Sequence, residues 1–323
     1  MKLLLLNSCG PMGSALLSGL VEKIGVRNLP IRDLGLNEYI TGELSLDSKY
    51  MEKQTVYWIE RFARPVQFGG VGVVDRDSRP ARVLTDPGKV RERIAFLQSH
   101  RFTSLAELFH TCRDVFAEAL VYKEAGEGWA YDGHLCRHLD FFHRAPERFW
   151  EQCQHHFPGA RIIHLHRDVG PWLESMASQA MHQRTWRARM RFEFTHVLRK
   201  YRRYEKFCQA VPGEHLHFEE LFTRPVDELA AQLANALSVS LPALDWTSLE
   251  YDLYGALTAH STAFTLADAK HRFLGTPVLD RMLALEQPEE APLPKVLLGE
   301  GRAQVLYWKA LRAYRKRMKG TAT

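Results

Sequence analysis

The sequence predicts an α/β fold in which a central parallel sheet carries helices on both faces. Three segments show the pattern of an apolar strand, a short turn and an amphipathic helix: one at the start of the chain, one near its middle and one beyond residue 213. Strands that alternate with helices pair in parallel, because each helix returns the chain to the same end of the sheet. No Pro/Gly/Ser-rich linker and no internal repeat divides the 323 residues. We therefore expect a single domain over 1–323, with an insertion at about 40–130 and a basic helical tail at about 301–319.

The first unit begins with the apolar run Leu3 to Leu6, followed by the glycine-punctuated turn Asn7 to Gly13. Apolar residues then recur at helical spacing until Gly25, which is suited to end the helix. A glycine loop that enters a helix directs backbone N–H groups and the positive end of the helix dipole at an anion. The loop matches neither GxxxxGK[ST] nor GxGxxG. The alternative role of Ser14 is that of an ordinary helix N-cap.

The second unit is the segment from Ala160 to Ser175. Its apolar run predicts a strand, Gly170-Pro171 interrupts the chain, and proline suits the first turn of the helix that follows. Arg167 is then expected at the carboxyl end of the strand and Ser175 about one turn into the helix. A guanidinium and a hydroxyl that converge in this way can bind a phosphate, with the arginine offering a planar fork.

The third unit consists of Glu214 to Leu221, Thr223-Arg-Pro225 and leucines at 229, 233 and 237. In this order, the three units resemble sulfotransferases that use 3′-phosphoadenosine 5′-phosphosulfate (PAPS), which share a P-loop-like nucleotide-hydrolase architecture. The resemblance implies a 5′-phosphosulfate loop formed by Gly10, Pro11, Met12, Gly13, Ser14 and Ala15. It implies a 3′-phosphate pair formed by Arg167 and Ser175, and a strand, turn, proline and helix in the third unit.

The family resemblance also implies a catalytic base and a closing loop. The family carries its base upstream of the arginine strand, which here corresponds to the segment from Ala130 to Asp140. His134 is the candidate base, with His138 and Asp132 as alternatives. Lys270 and Arg272, beside Gly275, resemble the basic loop that closes over the 3′-phosphate; a helix C-terminus with a glycine cap is the alternative.

The N-terminal loop departs from the family pattern at two positions. Pro11 stands where the family commonly has Lys or Arg, and Ala15 stands where it often has a hydroxyl residue. Negative charge on the leaving phosphate must then be met by backbone amides, the helix dipole or a basic residue from another segment.

We expect a PAPS-dependent sulfotransferase that releases 3′-phosphoadenosine 5′-phosphate (PAP), with a carbohydrate, glycolipid or small alcohol as acceptor. The insertion at about 40–130 is where acceptor specificity would be built; the alternative is a plain surface excursion. Two other functions remain open. One is a non-catalytic PAP-binding or nucleotide-binding protein of the same fold, and the other is an ATP-dependent P-loop phosphotransferase, against which the missing Lys-Ser/Thr pair speaks.

Composition limits the other classes of partner and site. The five cysteines are scattered, no Cys or carboxylate partner accompanies His164 and His166 at metal-site spacing, and we expect reduced thiols and no metal. A net charge of +5 without a base-reading module argues against nucleic acid. The chain has no apolar run long enough for a membrane span, so we expect a cytoplasmic protein. The basic C-terminal segment is suited to contact with an anionic membrane surface.

Overall fold

A computed structural model describes residues 2–29, 34–63, 87–119, 128–131, 145–181, 190–251, 257–259 and 273–320. Elements are numbered in chain order over these residues. The strands are β1 (Lys2–Asn7), β2 (Val26–Leu29), β3 (Gly128–Tyr131), β4 (Arg161–His166), β5 (Glu214–His217), β6 (Leu249–Tyr251) and β7 (Leu257–Ala259). The helices are α1 (Ser14–Lys23), α2 (Leu36–Thr41), α3 (Tyr50–Ala63), α4 (Pro87–Ser99), α5 (Leu105–Ala119), α6 (Pro146–His156), α7 (Val169–Met181), α8 (Phe194–Ala210), α9 (Glu220–Thr223), α10 (Val226–Leu237), α11 (Thr276–Leu283) and α12 (Leu293–Gly320).

Strands β1 to β5 form a parallel sheet in the order β2-β3-β1-β4-β5. Strand β1 lies at the centre, where Leu4 pairs with Arg161 of β4 and Lys2 with Gly128 of β3. The carboxyl ends of β1 and β4 therefore lie side by side, which is where open α/β sheets bind their ligands. Strands β6 and β7 form a separate antiparallel pair.

The two faces of the sheet support two hydrophobic clusters. Leu4, Leu6 and Leu165 pack with α1, α7, α10 and the inner sides of α8, α11 and α12. On the opposite face, Leu5 and Ile162 pack with α2 to α6. Alternate residues of one strand thus enter opposite clusters, as the side-chain period of two requires. The predicted parallel sheet with helices on both faces is confirmed.

The described parts of the predicted insertion at 40–130 are mainly helical, with α3, α4 and α5 packed together on the second face. Residues 64–86 lie outside the described residues. They include a glycine-rich segment from Pro65 to Val74. The predicted basic tail belongs to a longer helix, because α12 begins at Leu293.

Basic residues mixed with aromatic ones recur at helical spacing between Arg184 and Lys206, a pattern that predicts one amphipathic basic helix, and the structure departs from this prediction. Residues 190–193 are not helical, and α8 begins at Phe194. The cations of this helix also face acids: Arg202 lies 2.7 Å from Glu286, and Arg203 and Lys206 lie 2.9 and 3.4 Å from Glu289. These ion pairs join α8 to the segment between α11 and α12.

Candidate functional site

The turn between β1 and α1 has a backbone that requires glycine at two positions. Gly10 and Gly13 have φ angles of 70° and 87°, in the left-handed region. A Cβ atom on Gly13 would lie 2.6 Å from Cδ2 of Phe218, and one on Gly10 would lie 3.0 Å from Sδ of Met176. The loop therefore needs glycine both for its conformation and for its close packing.

The first turn of α1 leaves a set of backbone amides available. The amide of Leu17 donates the first intrahelical hydrogen bond to the Gly13 carbonyl, at 3.0 Å. The N–H groups of Ser14, Ala15 and Leu16 consequently have no intrahelical acceptor, and the helix dipole adds partial positive charge at the same point. Gly13 is the N-cap, and no side chain caps the helix, so the alternative interpretation of Ser14 as the N-cap is wrong. The turn offers an anion-binding group made of backbone.

Met12 and Pro11 make contacts within the protein that hold the turn in place, and these contacts do not involve a ligand. The Met12 side chain is fully buried in the hydrophobic cluster that contains Leu4 and Leu6. Its sulfur lies 3.3 Å from the Cys9 backbone nitrogen. Its amide donates to the Gly10 carbonyl at 2.8 Å. Pro11 turns its carbonyl towards the second turn of the site, where it accepts a hydrogen bond from Arg167.

Arg167 and Ser175 lie together, as the sequence predicts. Nη1 of Arg167 donates to Oγ of Ser175 at 2.9 Å and to the Pro11 carbonyl at 2.6 Å. Arg167 follows β4 directly, whereas Ser175 is the seventh residue of α7 and thus lies in its second turn rather than its first. Because Nη1 has two hydrogens, these two bonds use that nitrogen completely.

The other edge of the Arg167 guanidinium is left for a ligand. Its Nε is buried and has no hydrogen-bond partner among the described residues. Nε and Nη2 form the edge that binds two oxygens of one phosphate in parallel. A buried donor without a partner is costly, so an anion at this edge would satisfy it.

Phe218 and Tyr201 hold the arginine in this position. The guanidinium carbon lies 4.3 Å from the centre of the Phe218 ring, and the Tyr201 hydroxyl donates to the Arg167 carbonyl at 2.6 Å. Burial lowers the pKa of the Arg167 guanidinium, while the carboxylate of Glu219 acts in the opposite direction. Phe218 touches both Arg167 and Gly13, and so joins the two turns of the site.

Two further aromatic side chains hold the ends of the strands. The Trp172 indole Nε1 donates to the Cys9 carbonyl. The Tyr204 hydroxyl lies 2.7 Å from the carbonyl oxygens of Asn7 and Leu165, at the ends of β1 and β4. Sequence reasoning missed Trp172, Tyr201, Tyr204 and the role of Phe218, because these contacts join positions far apart in the chain.

Four histidines lie side by side on the adjacent strands β4 and β5. His164 pairs with His215 and His166 with His217 in the register of the two strands, and Nε2 of His166 lies 2.7 Å from Nδ1 of His215. In the buried His164 ring, Nδ1 lies 2.9 Å from the side-chain Nδ2 of Asn7, and Nε2 lies 2.9 Å from the Val211 carbonyl oxygen. Burial lowers the pKa of His164 to about 3. Within the described ranges, no group of three or more His, Cys, Asp or Glu side chains could hold a metal ion.

Three of the predicted site residues, His134, Lys270 and Arg272, lie outside the residues that the structure describes. The chain re-enters the description at Phe273. The Leu274 amide donates to both carboxylate oxygens of the buried Glu174, at 3.0 and 3.1 Å. Since Glu174 precedes Ser175, the described end of the predicted basic loop is fixed next to the Arg167–Ser175 pair. Gly275 is the N-cap of α11.

The fold is a parallel sheet with helices on both faces, in which two strand-to-helix turns lie at the carboxyl ends of the adjacent strands β1 and β4. A family model described as the sulfotransferase family matches residues 73–242, which is more than half of the chain. The protein therefore belongs to the sulfotransferase family, as its residues predicted. The matched range includes Arg167, Ser175 and Phe218 and begins after the N-terminal loop.

The other comparisons give a weaker likeness. Among solved structures, a sulfotransferase domain from the curacin biosynthetic pathway is 13% identical, with a TM-score of 0.39. The match covers 93% of this chain and 96% of that one. No curated protein matches the sequence. In the part of the chain that the structure describes, no helix is both long and apolar enough to cross a membrane.

Proposed function

We propose that this protein transfers a sulfuryl group from PAPS to an acceptor hydroxyl of a carbohydrate, a glycolipid or a small alcohol. The observation that supports this most strongly is the buried Nε of Arg167, which has no hydrogen-bond partner among the described residues and belongs to a side chain that contacts both strand-to-helix turns. PAPS carries one anionic group at its 3′ position and another at its 5′ position. Two separate anion-binding groups beside one another suit such a donor.

The 3′-phosphate is assigned to Arg167 and Ser175. The edge of Nε and Nη2 supplies two parallel donors. The Ser175 hydroxyl accepts from Nη1, at 2.9 Å, on the other side of the guanidinium, so it orients the arginine and donates to the phosphate only when the guanidinium turns towards it. Lys270 and Arg272 precede in sequence the segment that Glu174 anchors, and we assign them to the same phosphate.

The 5′-phosphosulfate is assigned to the turn from Gly10 to Ala15. The amides at the start of α1 bind the phosphate oxygens, and the hydroxyl of Ser14 lies in the same first turn. The turn contains no cation, so its contribution comes from fixed dipoles. Arg167 brings positive charge to the turn, because its Nη1 donates a hydrogen bond to the Pro11 carbonyl.

Sulfuryl transfer requires an acceptor oxygen in line with the bond that breaks. The acceptor oxygen forms a bond to sulfur, the bond from sulfur to the 5′-phosphate oxygen breaks, and PAP leaves with the negative charge. A base removes the proton of the acceptor hydroxyl, and we assign this role to His134. The amides of α1 stabilise the charge that develops on the phosphate.

One observation favours a second candidate, a protein that binds PAP without turnover. Pro11 replaces the cation that the family commonly places in the loop, and its carbonyl instead accepts a hydrogen bond from Arg167. Such a protein would retain the 3′-phosphate pair and would lack transition-state stabilisation at the 5′ end.

The test is a calorimetric titration of the protein with PAP, with ATP and Mg²⁺ as the competing ligand. We expect PAP to bind and ATP to bind far more weakly, and we expect Arg167→Ala to lose PAP affinity. Arg161→Ala is the matched control, because Arg161 is exposed at the other end of the same strand. Binding of ATP in preference to PAP would reject the proposal, and PAP binding without turnover on any acceptor would favour the second candidate.

A further inference from the structure

The outer face of α12 has a composition that differs from an ordinary solvent-exposed face. The exposed positions are Leu293, Pro294, Lys295, Leu297, Leu298, Gly301, Arg302, Val305, Trp308, Lys309, Arg312, Ala313, Arg315, Lys316 and Arg317. Each of them is apolar, glycine, proline or cationic. A surface that only faces water mixes charges of both signs and uses neutral polar residues. We propose that the outer face of α12 binds an anionic lipid bilayer, with the helix lying along the membrane surface.

The apolar part of this face lies in the first half of the helix. Leu293, Leu297, Leu298, Val305 and Trp308 are between 40% and 68% exposed. Large apolar side chains at this exposure, clustered on one helix, mark an interaction surface. The Trp308 indole donates to the Met190 carbonyl at 2.7 Å, which holds the ring at the surface. Tryptophan is the side chain most typical of the boundary between lipid and water.

A groove lies in the apolar part of the same face. It lies between α11 and α12, has a volume of about 610 Å³, and is lined by Leu285, Leu298 and Leu306. Gly301 also lines it, and a Cβ atom there would meet nothing within 4 Å. Arg281 and Arg302 also line the groove, so apolar surface and positive charge occur together.

The basic part of the face lies in the second half of the helix. At 100° per residue, Lys309, Arg312 and Lys316 fall on the same outer side as Leu298 and Val305. Helix α12 contains one acidic residue, Glu300, and this side chain is turned inward. Its carboxylate accepts hydrogen bonds from the amides of Phe194 and Thr195, at 2.9 and 2.7 Å, at the start of α8.

The positive charge of this face favours an anionic bilayer over a second copy of the chain as the binding partner. A second copy of the chain would bring one cationic surface against another, which costs free energy of association. An anionic bilayer offers negative headgroups to the basic half and acyl chains to the apolar half. Basic amphipathic helices with tryptophan and leucine on the apolar side bind membranes in this way.

The test is co-sedimentation of the full chain with sucrose-loaded vesicles of phosphatidylcholine, with or without phosphatidylserine. We expect binding to the vesicles that contain phosphatidylserine and a loss of that binding at high salt. Each cation near such a surface raises binding roughly fivefold, so K309E/R312E/K316E is expected to lower the partition coefficient by about 100-fold or more. L297S/L298S/V305S is expected to reduce it as well, because the apolar contribution is removed.

The matched control is K53E/R91E/R148E, which changes the net charge by the same amount on exposed positions of α3, α4 and α6. We expect this variant to bind vesicles almost as well as the unchanged protein. Circular dichroism and a thermal melt of each variant show whether it is folded. Equal loss in the control would mean that net charge alone drives binding and would overturn the proposal.

Two other outcomes would also overturn the proposal. One is that the unchanged protein fails to bind vesicles of either composition. The other is that sedimentation velocity shows a dimer that L297S/L298S/V305S dissociates, because the face would then be an interface between copies. Neither test uses PAP or PAPS, so their outcomes do not depend on the function proposed for the nucleotide site.

Discussion

The turn after β1 and the turn after β4, to which we assign the two anionic groups of the donor, present their hydrogen-bond donors in two different ways. The first turn uses backbone: two glycines with positive φ, three amides at a helix N-terminus and no cation. The second turn uses side chains, with the Arg167 guanidinium held by Ser175 and stacked on Phe218. A backbone site is fixed by the path of the chain, whereas a side-chain site is fixed by the packing around it. Substitutions should therefore affect the two turns differently.

The largest effect is expected from Gly13→Ala, which disturbs the backbone turn. The left-handed conformation costs an alanine about 1–2 kcal/mol. The added methyl group also meets Phe218 at 2.6 Å, so Phe218 must move from beneath Arg167. We expect a total loss of about 3 kcal/mol in unfolding free energy, together with a loss of PAP affinity. Thermal melts and calorimetry measure the two effects.

Gly42→Ala is the matched control for Gly13→Ala. Gly42 also has a positive φ, of 80°, but a Cβ atom there would meet nothing within 4 Å. It should show the conformational cost alone and leave PAP binding unchanged. Equal effects of the two substitutions would show that the contact with Phe218 does not matter.

The second effect in size is expected from Ser175→Ala, which removes one side-chain donor from the second turn. One hydrogen bond is worth about 1 kcal/mol, so PAP affinity should fall roughly fivefold. Ser178→Ala, one turn further along α7, is the control and should leave the affinity unchanged. An unchanged affinity in Ser175→Ala would remove the serine from the site.

A smaller effect is expected from Phe218→Leu, which retains an apolar side chain beneath the arginine. The loss of the aromatic face removes a cation–π contact worth about 0.5–1 kcal/mol, and PAP affinity should fall about two- to fivefold. Phe222→Leu is the control, because Phe222 packs edge-on against Phe218, whereas Phe218 is the ring that lies beneath the Arg167 guanidinium carbon. If both substitutions have the same effect, the role of Phe218 is only to fill space.

A separate effect, on stability and not on PAP affinity, concerns the histidine beside the two turns, and it depends on pH. Because burial lowers the pKa of His164 to about 3, the folded protein binds fewer protons here than the unfolded chain between pH 3 and the ordinary value of about 6.5. Stability from this group is therefore fully present above about pH 6.5 and is lost as the pH falls. At pH 5 the loss is about 2 kcal/mol or less.

Denaturant titrations at pH 7 and pH 5 measure this dependence. His164→Gln should lower stability at pH 7 but flatten the change between the two pH values. His196→Gln, at an exposed position of α8, should leave the pH dependence as it is in the unchanged protein. A His164→Gln variant with an undiminished pH dependence would assign the effect to other groups.

The sequence predicted the elements that short-range chemistry determines. The leucine run of β1, the glycines of its loop and Pro171 in the first turn of α7 each act within a few residues, so the two turns, Arg167 and Ser175 could be found. The predicted interruption at Gly170-Pro171 is wrong in position, because α7 begins at Val169 and contains both residues. The family followed from the same residues. Gly25, with a φ of 89°, ends α1 as expected.

The supporting contacts could not be predicted, because they join distant segments. Trp172 reaches Cys9 and Tyr204 reaches Asn7, and neither contact leaves a periodic signal in the sequence. The predicted basic helix begins too early in the sequence, because a run of arginines does not show where a helix begins. The sequence likewise does not show whether the Glu300 side chain points inward or to solvent, because this depends on its hydrogen bond to the first residue of α8.

The most direct test of the account is to titrate the unchanged protein and Arg167→Ala with two ligands, PAP and adenosine 5′-phosphosulfate, which lacks the 3′-phosphate. If Arg167 binds the 3′-phosphate, the substitution should weaken PAP binding roughly 100-fold and change the affinity for adenosine 5′-phosphosulfate little. Arg161→Ala should change neither affinity. Equal losses for both ligands in Arg167→Ala would contradict the division of the donor between a backbone turn and a side-chain turn.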